Sequence, residues 1–268
     1  MTDMQDYADG RLQLARTGGV ATITFNAQHK HNAMSLGMWQ ALSEICESLA
    51  ADDSLRVLTL TGAGDRAFVA GADISEFEET RSDAASAAAY GAAVAHAEDT
   101  LEALPVPTLA LIRGYCIGGG LGIAMRCDLR LARDDARFAI TPAKLSLGYG
   151  YDGVAQLYHR LGHAVTADVL FSGRMLSAEE AQAKGICDFV YSRDTFDAAC
   201  ADYVATLAGN APLTIRAVKS ALNALAKPET ARDRTAADTL VRACFDSADY
   251  AEGQRAFAEK RAPRFKGH

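Results

Sequence analysis

A chain of 268 residues, 49 % hydrophobic and 23 % charged, has the make-up of a globular protein with one large core and room for a smaller appendage. Its formal net charge of -7 argues against nucleic acid as a default partner, because a polyanion is bound by a surplus of lysine and arginine. No apolar run approaches the roughly 18 residues of a membrane span, and the acidic opening "MTDMQDYADG" is unlike a secretory leader, so the cytoplasm is the expected compartment.

In chain order, "RLQLARTGGVATITFN" predicts a hairpin turning at Gly18-Gly19. "SLGMWQALSEICESLA" opens on a capping-type Ser35 and repeats Leu36, Trp39, Leu42, Ile45 and Leu49 at helical spacing. "LRVLTLTG" reads as a buried strand. "AASAAAYGAAVAHAEDTLEAL" reads as a helix stopped by Pro105, and "VPTLALIRG" as a second buried strand running into "YCIGGGLGIAMRCDLRLA". Alternating strands and helices favour an α/β class. From about Asp194 the pattern turns wholly helical, which places a soft boundary near Ser192: a core over 1–192 and a helical region over 193–268. Six cysteines without paired spacing read as small buried hydrophobes of a reducing compartment.

Several familiar motifs fail. "LTLTGAGDRA" offers part of a dinucleotide fingerprint, but that motif must open a helix and here the chain passes into "FVAGAD". "GGGLG" lacks the Lys-Ser/Thr of a phosphate loop, and there is no Gly-x-Ser-x-Gly elbow. His159 and His163 stand four apart, yet no acid sits beside His159 and no third metal ligand is evident; surface or packing roles suit them better. The tail "RAFAEKRAPRFK" is basic and reads either as a solvated helix or as a contact for phosphates; RNA binding would rest on it alone, against an acidic remainder.

Two narrow stretches remain. "AGAD" (Ala70–Asp73) follows one strand, and "GGGLGIAM" (from Gly118) follows another and begins a helix. Each places an unencumbered backbone N–H at the end of a parallel-type strand, where ligands gather in α/β sheets. The second also offers the free amides and dipole of a helix start. Two amides on one oxygen make an oxyanion hole, in which one donor is worth about 3–4 kcal/mol of barrier. Either stretch alone reads equally as a tight turn.

Together and in this order, with "FNAQHKHNAMS" before them and "EGQRAFAEKRAPRF" after, they resemble the crotonase (enoyl-CoA hydratase/isomerase) superfamily over nearly the whole chain. The resemblance implies a spiral of ββα turns, a C-terminal helical trimerisation region, and homotrimers that pair into hexamers. It also implies an acyl-CoA substrate, with coenzyme A as part of that substrate and no tightly bound cofactor or metal. Residue by residue, it places the oxyanion amides at Ala72 and Gly119, holding a thioester carbonyl as its enolate forms. Ala33, Ala70, Asp73, Ile74 and Gly118 correspond to the coenzyme A channel, Lys30 to a phosphate contact, and Phe257 and Lys260 to tail residues that can reach a neighbouring subunit's coenzyme.

The chain departs from the pattern at the acids. The position two past the glycine run, a glutamate in hydratases, is Gly122, and the second glutamate's place falls on Pro142 or Ala143. What remains is Asp152 in "LGYGYDGVAQL", which resembles the aspartate of members that isomerise or dehalogenate thioesters. Apolar neighbours Tyr149, Tyr151 and Val154 would raise its pKa and suit a proton shuttle; the other reading makes Asp152 the N-cap of a helix that opens at Gly153. His96 sits one position from a family histidine, Lys144 could fix a loop or a substrate carboxylate, and Glu76 and Glu78 are expected in solvent. The expected activity is enolate stabilisation with double-bond isomerisation or atypical hydration, the alternative being a non-catalytic acyl-CoA binder.

Overall fold

The computed structural model describes residues 3–76, 80 and 82–268, and among these it contains eleven strands and nine helices. Three strands open the chain as an antiparallel meander: β1 (Asp3–Tyr7), β2 (Leu12–Thr17) and β3 (Val20–Phe25). Residues β2 and β3 contribute to the core alternate, with Leu12, Leu14, Ala21, Ile23 and Phe25 buried. The hairpin turns where expected, at Gly18-Gly19.

Helix α1 (Leu36–Ala50) starts at Ser35, whose side chain accepts from the Met38 N–H at 3.2 Å. After it the chain repeats one unit. Strand β4 (Val57–Gly62) is followed by β5 (Ala67–Val69), β6 (Thr108–Ile112) by β7 (Tyr115–Ile117), and β8 (Leu129–Arg133) by β9 (Arg137–Ala139). The first strand of each pair joins a seven-stranded sheet ordered β1-β2-β3-β4-β6-β8-β11. The second joins a four-stranded sheet ordered β10-β9-β7-β5, where β10 is Leu176–Ser177 and β11 is Phe189–Tyr191. Helix α2 (Ala84–Glu102) follows the first pair and α3 (Gly119–Arg126) the second, giving a spiral of ββα turns. The absence of a helix between β4 and β5 disposes of the dinucleotide fingerprint at Gly62.

Within the large sheet the strands from β3 onward run parallel and are covered on both faces, which is why they read as unbroken apolar runs. Leu58, Leu60, Ala110 and Ile112 face the main core, while Val57, Leu109 and Leu131 face the other side. That second face is closed by α6 (Phe196–Gly209), through Phe196 and Cys200. Between β9 and α6 lie α4 (Tyr151–Ser172) and α5 (Ala178–Ala183). The chain ends in α7 (Pro212–Leu225), α8 (Arg234–Phe245) and α9 (Ala248–Ala258). Helix α7 is pinned by the buried Lys219, whose Nζ donates to the Val106 carbonyl at 2.6 Å and to Asp128 at 2.8 Å. No helix among the described residues is long and apolar enough to cross a membrane.

Candidate active site

The small sheet brings the two narrow stretches together. Strands β5 and β7 are parallel neighbours, with Val69 opposite Cys116, so the turns that leave them lie side by side. Gly71 (φ 111°) and Gly118 (φ 53°) both adopt positive φ, which glycine enters without a Cβ penalty. A Cβ on Gly118 would stand 3.7 Å from the Gly71 Cα, so the turns touch through their glycines. The residues that follow them are Ala72 and Gly119. Ala72 pairs with Met34, but the bonds of that bridge use the Met34 and Asp73 N–H groups. Gly119 is the first residue of α3, where an N–H has no partner within the helix. Among the described residues neither amide donates to a protein acceptor, and both residues are half-buried.

The rest of α3 is packed as closely as its glycines suggest. A Cβ on Gly120 would fall 2.8 Å from the Val69 Cβ and against the Val69 carbonyl, and one on Gly119 would lie 3.1 Å from the Trp39 ring. Trp39 is buried under that turn and donates from Nε1 to the Tyr90 hydroxyl at 2.9 Å.

The segment "QHKHNA" forms a wall beside the first turn. Asn32 is buried in a left-handed conformation, accepting from the Ala27 N–H and donating to the Ala63 and Ala67 carbonyls. The backbone then zips onto AGAD through Met34 N–H to Gly71 O (2.8 Å), Asp73 N–H to Met34 O (2.8 Å) and Ala70 N–H to His31 O (3.1 Å). This places Lys30, Ala33, Ala70, Asp73 and the 66 % exposed Ile74 in one neighbourhood. Lys30 Nζ donates to Asp73 at 2.6 Å and to Ser75 at 2.8 Å. Desolvation is the largest influence on Asp73 and pushes its pKa up, but the Lys30 and Ser75 hydrogen bonds together outweigh it and leave the carboxyl below its usual range.

Two readings of single residues are corrected. Asp152 caps nothing: the cap of α4 is Gly150, and Asp152 is the second helical residue, exposed and without a hydrogen-bond partner among the described residues. Glu76 is not free in solvent, since its Oε2 accepts from the Leu36 N–H at 2.8 Å and so supports the start of α1; Glu78 lies outside the described residues. His96 is paired with Glu47 at 3.0 Å. Lys144 sits in a short 3₁₀ turn, Pro142–Lys144, with its aliphatic stem beside Gly173.

Phe257, 88 % exposed, and Lys260 stand at the end of α9. No hydrogen bond or ion pair joins α9 to the glycine turns among the described residues. Two of the tail's basic residues are taken up internally: Arg261 and Arg255 both pair with Glu252, holding its carboxyl well below the usual range.

One carboxylate escaped the sequence reading. Glu98, on α2, brings its Oε1 to 2.7 Å from where a Cβ on Gly122 would be. Its other oxygen, Oε2, accepts from Arg126 Nε at 3.3 Å, and only 12 % of the side chain is exposed. Burial raises the Glu98 pKa, and the charge and hydrogen bond of Arg126 oppose that rise without cancelling it. Tyr149 lies near enough to feel the same charges: desolvation first, then the Glu98 carboxylate, push its phenol up to about 12. The signal was present in the sequence. Tyr90, Val94, Ala97 and Leu101 form the inward stripe of α2, and Glu98 falls on its border.

The pattern of the enoyl-CoA hydratase/isomerase family matches residues 15–268. The (E)-benzylidenesuccinyl-CoA hydratase of Thauera aromatica is 33 % identical over 254 residues, covering 92 % of this chain and 96 % of that protein. The short-chain-enoyl-CoA hydratase of Clostridium acetobutylicum is 28 % identical over 248 residues, covering 92 % of this chain and 94 % of its own. A crystal structure of an enoyl-CoA hydratase/carnithine racemase from Magnetospirillum magneticum superposes with a TM-score of 0.93 at 38 % identity, over 100 % of this chain and 97 % of that one. The ββα spiral is thus the crotonase fold, and the chain belongs to the enoyl-CoA hydratase/isomerase family.

Proposed function

We propose that this protein binds an acyl-CoA thioester with its carbonyl oxygen at the N–H groups of Ala72 and Gly119, and stabilises the enolate formed when a proton leaves Cα. The observation that carries this reading is the contact between Gly71 and Gly118 at the ends of paired strands, with the two following amides unclaimed by the protein. Amides fixed before reaction stabilise developing charge without reorganising, which is where such a site gains most of its rate.

In this reading the coenzyme lies along Lys30, Ala33, Ala70, Asp73, Ile74 and Gly118 and enters only as part of the substrate. The Lys30 ammonium, 41 % exposed beside Asp73, keeps donor capacity for a phosphate oxygen. Asp152, reachable from solvent, handles protons in double-bond isomerisation or in an atypical hydration. Residues 193–268 form the oligomerisation region of a homotrimer or a pair of trimers. The exposed Val218, Leu222, Leu225, Val241 and Phe245 on α7 and α8 are the apolar surface such an assembly would cover, and Phe257 and Lys260 would then face a neighbouring subunit's coenzyme.

The test is exchange of the Cα protons of a panel of short, medium and aromatic acyl-CoAs in D2O, followed by NMR. Catalysed exchange with at least one member is expected, and none across a panel that the protein does not bind would refute the reading. Turnover of enoyl- and dienoyl-CoAs by D152N, unchanged from wild type, would remove Asp152 from the mechanism.

A further inference from the structure

We propose that Glu98 is the proton-transfer residue of this site, its carboxylate entering from α2 through the space beside α3 that Gly122 leaves open. The proposal rests on the acyl-CoA reading above and replaces Asp152 with Glu98 as the group that moves protons there, because Asp152 is exposed and held by no side chain among the described residues, whereas Glu98 is buried and oriented by Arg126.

The geometry is specific. Gly122 is three residues beyond the proposed donor Gly119, on the same helix, and any side chain there would begin 2.7 Å from the Glu98 Oε1. A Cβ at 122 therefore pushes the Glu98 carboxylate out of its present position. Arg126, one turn further along α3, holds the Oε2 oxygen, while Oε1 accepts no hydrogen bond among the described residues. An ion pair serving only to fasten α2 to α3 gains most with both oxygens engaged. Here one oxygen is held and the other is left toward the glycine helix, the arrangement of a base with an orienting partner.

Arg126 is itself divided among carboxylates, contacting Asp99 at 3.4 Å and Glu102 at 2.5 Å as well as Glu98. Its charge thus neutralises Glu98 only in part. The groups facing Glu98 are Arg126 from α3, Asp99 and Glu102 from its own helix, and Tyr149 from the segment before α4. Burial among them lifts the carboxyl above its ordinary range, the direction that suits a group that must both accept and return a proton.

One carboxylate balances one kind of reaction without a co-reactant. With a β,γ-unsaturated thioester, Glu98 takes the Cα proton, and the C–H electron pair forms the Cα=C bond as the carbonyl pair moves onto oxygen at the two amides. The dienolate then collapses, the Cα–Cβ double bond forms, and Glu98 returns the proton to Cγ. The carboxylate ends as it began and no water is consumed, so Glu98 favours double-bond migration over hydration.

The experiment compares wild type, E98Q and E98D in three measurements: butyryl-CoA binding by calorimetry, Cα-proton exchange of butyryl-CoA in D2O, and conversion of 3-hexenoyl-CoA to its conjugated isomer against pH. E98Q keeps the shape and the Arg126 contact. It is expected to bind like wild type and to lose about 100-fold or more in exchange and isomerisation. E98D should recover part of the rate and keep the acid limb of the pH profile, which E98Q should lack. If Glu98 only fastens two helices, E98Q will melt lower yet exchange within about threefold of wild type per folded molecule, which overturns the proposal and leaves the acyl-CoA reading standing. A wild type that binds butyryl-CoA but neither exchanges nor isomerises also overturns it. A wild type that binds no acyl-CoA overturns the reading on which it rests.

Discussion

The glycines of α3 offer two single-methyl perturbations, G120A and G122A, whose outcomes should separate packing from chemistry. A helix-interior Gly→Ala change gains about 1 kcal/mol in propensity, so any loss must come from what the new Cβ meets. At Gly120 it meets backbone: the Val69 carbonyl, and further atoms of Val69 at 2.8 and 2.9 Å. Strand β5 is held in the small sheet by β7 and cannot retreat without breaking the turn contact between Gly71 and Gly118. Overpacking of this kind costs roughly 1–3 kcal/mol. With rigid backbone as the obstacle we take the upper end, leaving a net loss of about 2 kcal/mol, or a melting temperature lower by roughly 4–8 °C.

At Gly122 the Cβ meets only the Glu98 carboxylate. An ordinary contact begins at 3.4 Å and the built distance is 2.7 Å, so the oxygen must move by 3.4 − 2.7 = 0.7 Å. The tip of a side chain can yield that distance, and the propensity gain offsets the cost, so G122A should melt within a degree or two of wild type. Its activity should not survive so well. Misplacing a reacting group by about 1 Å can cost on the order of 100-fold, so a displacement of 0.7 Å should lower the Cα-exchange rate about tenfold or more. Thermal unfolding and NMR exchange on the same samples decide the matter. A G120A protein as stable as wild type would refute the close packing of the two turns, and a fully active G122A would refute a positioned carboxylate at 98.

Other outcomes follow from the same structure. K219M removes the buried ammonium that ties α7 to the Val106 carbonyl and Asp128; because Thr108 still donates twice to Asp128, denaturant unfolding should show a loss of about 2–3 kcal/mol rather than the larger cost of stranding a buried charge. Burial pushes the thiols of Cys46, Cys127, Cys187 and Cys200 up to about 12 from an ordinary 9.0. Between those values the folded state holds protons that the unfolded state releases, so stability is full below pH 9 and falls as pH rises toward 12, by about 1.4 kcal/mol per pH unit for each thiol. Unfolding measured from pH 8 upward under reducing conditions should show that decline, with a shallower slope in C200A. E76A should cost about 1 kcal/mol by freeing the Leu36 N–H at the start of α1, a loss readable in thermal melts.

The turn pair was legible in the sequence because its constraint is local. Ala70-Gly71-Ala72 and Gly118-Gly119-Gly120 are small where a backbone must come close, and each ends an apolar strand. Strands β4 and β6 were legible because they are buried on both faces and read as continuous apolar runs, whereas the ββα repeat they belong to was implied only by the family resemblance. Strand β1 was not: it is an edge strand of polar residues, Met4 is 61 % exposed, and no alternation marks it. Nor was the pairing of Lys30 with Asp73, 43 residues apart, which only the zipping of the entry segment onto AGAD brings about. Glu76 read as a surface charge because its acceptor role depends on a helix start 40 residues earlier. Glu98 belongs to no motif, and its meaning depends on a glycine on another helix.

That dependence changes how the missing glutamate at position 122 should be understood. Read along the chain, Gly122 is the loss of an acid. In three dimensions, the same glycine is what gives the Glu98 carboxylate its room, since a Cβ at 122 and an oxygen 2.7 Å away cannot both be accommodated. The donors and the acid then come from separate parts of the fold. The two turns are fixed by the pairing of β5 with β7, and the acid is fixed by Arg126 and by the seat of α2 on α1, where Trp39 meets Tyr90. Trp39 also lies under Gly119, so a single buried ring sets the spacing between the helix that carries the acid and the turn that carries a donor. An acid supplied from α2 can be altered without disturbing either proposed donor amide, whereas an acid at 122 shares the helix that begins at Gly119. Gly122 and Glu98 are therefore one structural choice, in which the residue that looks like a deletion is the condition for the residue that replaces it.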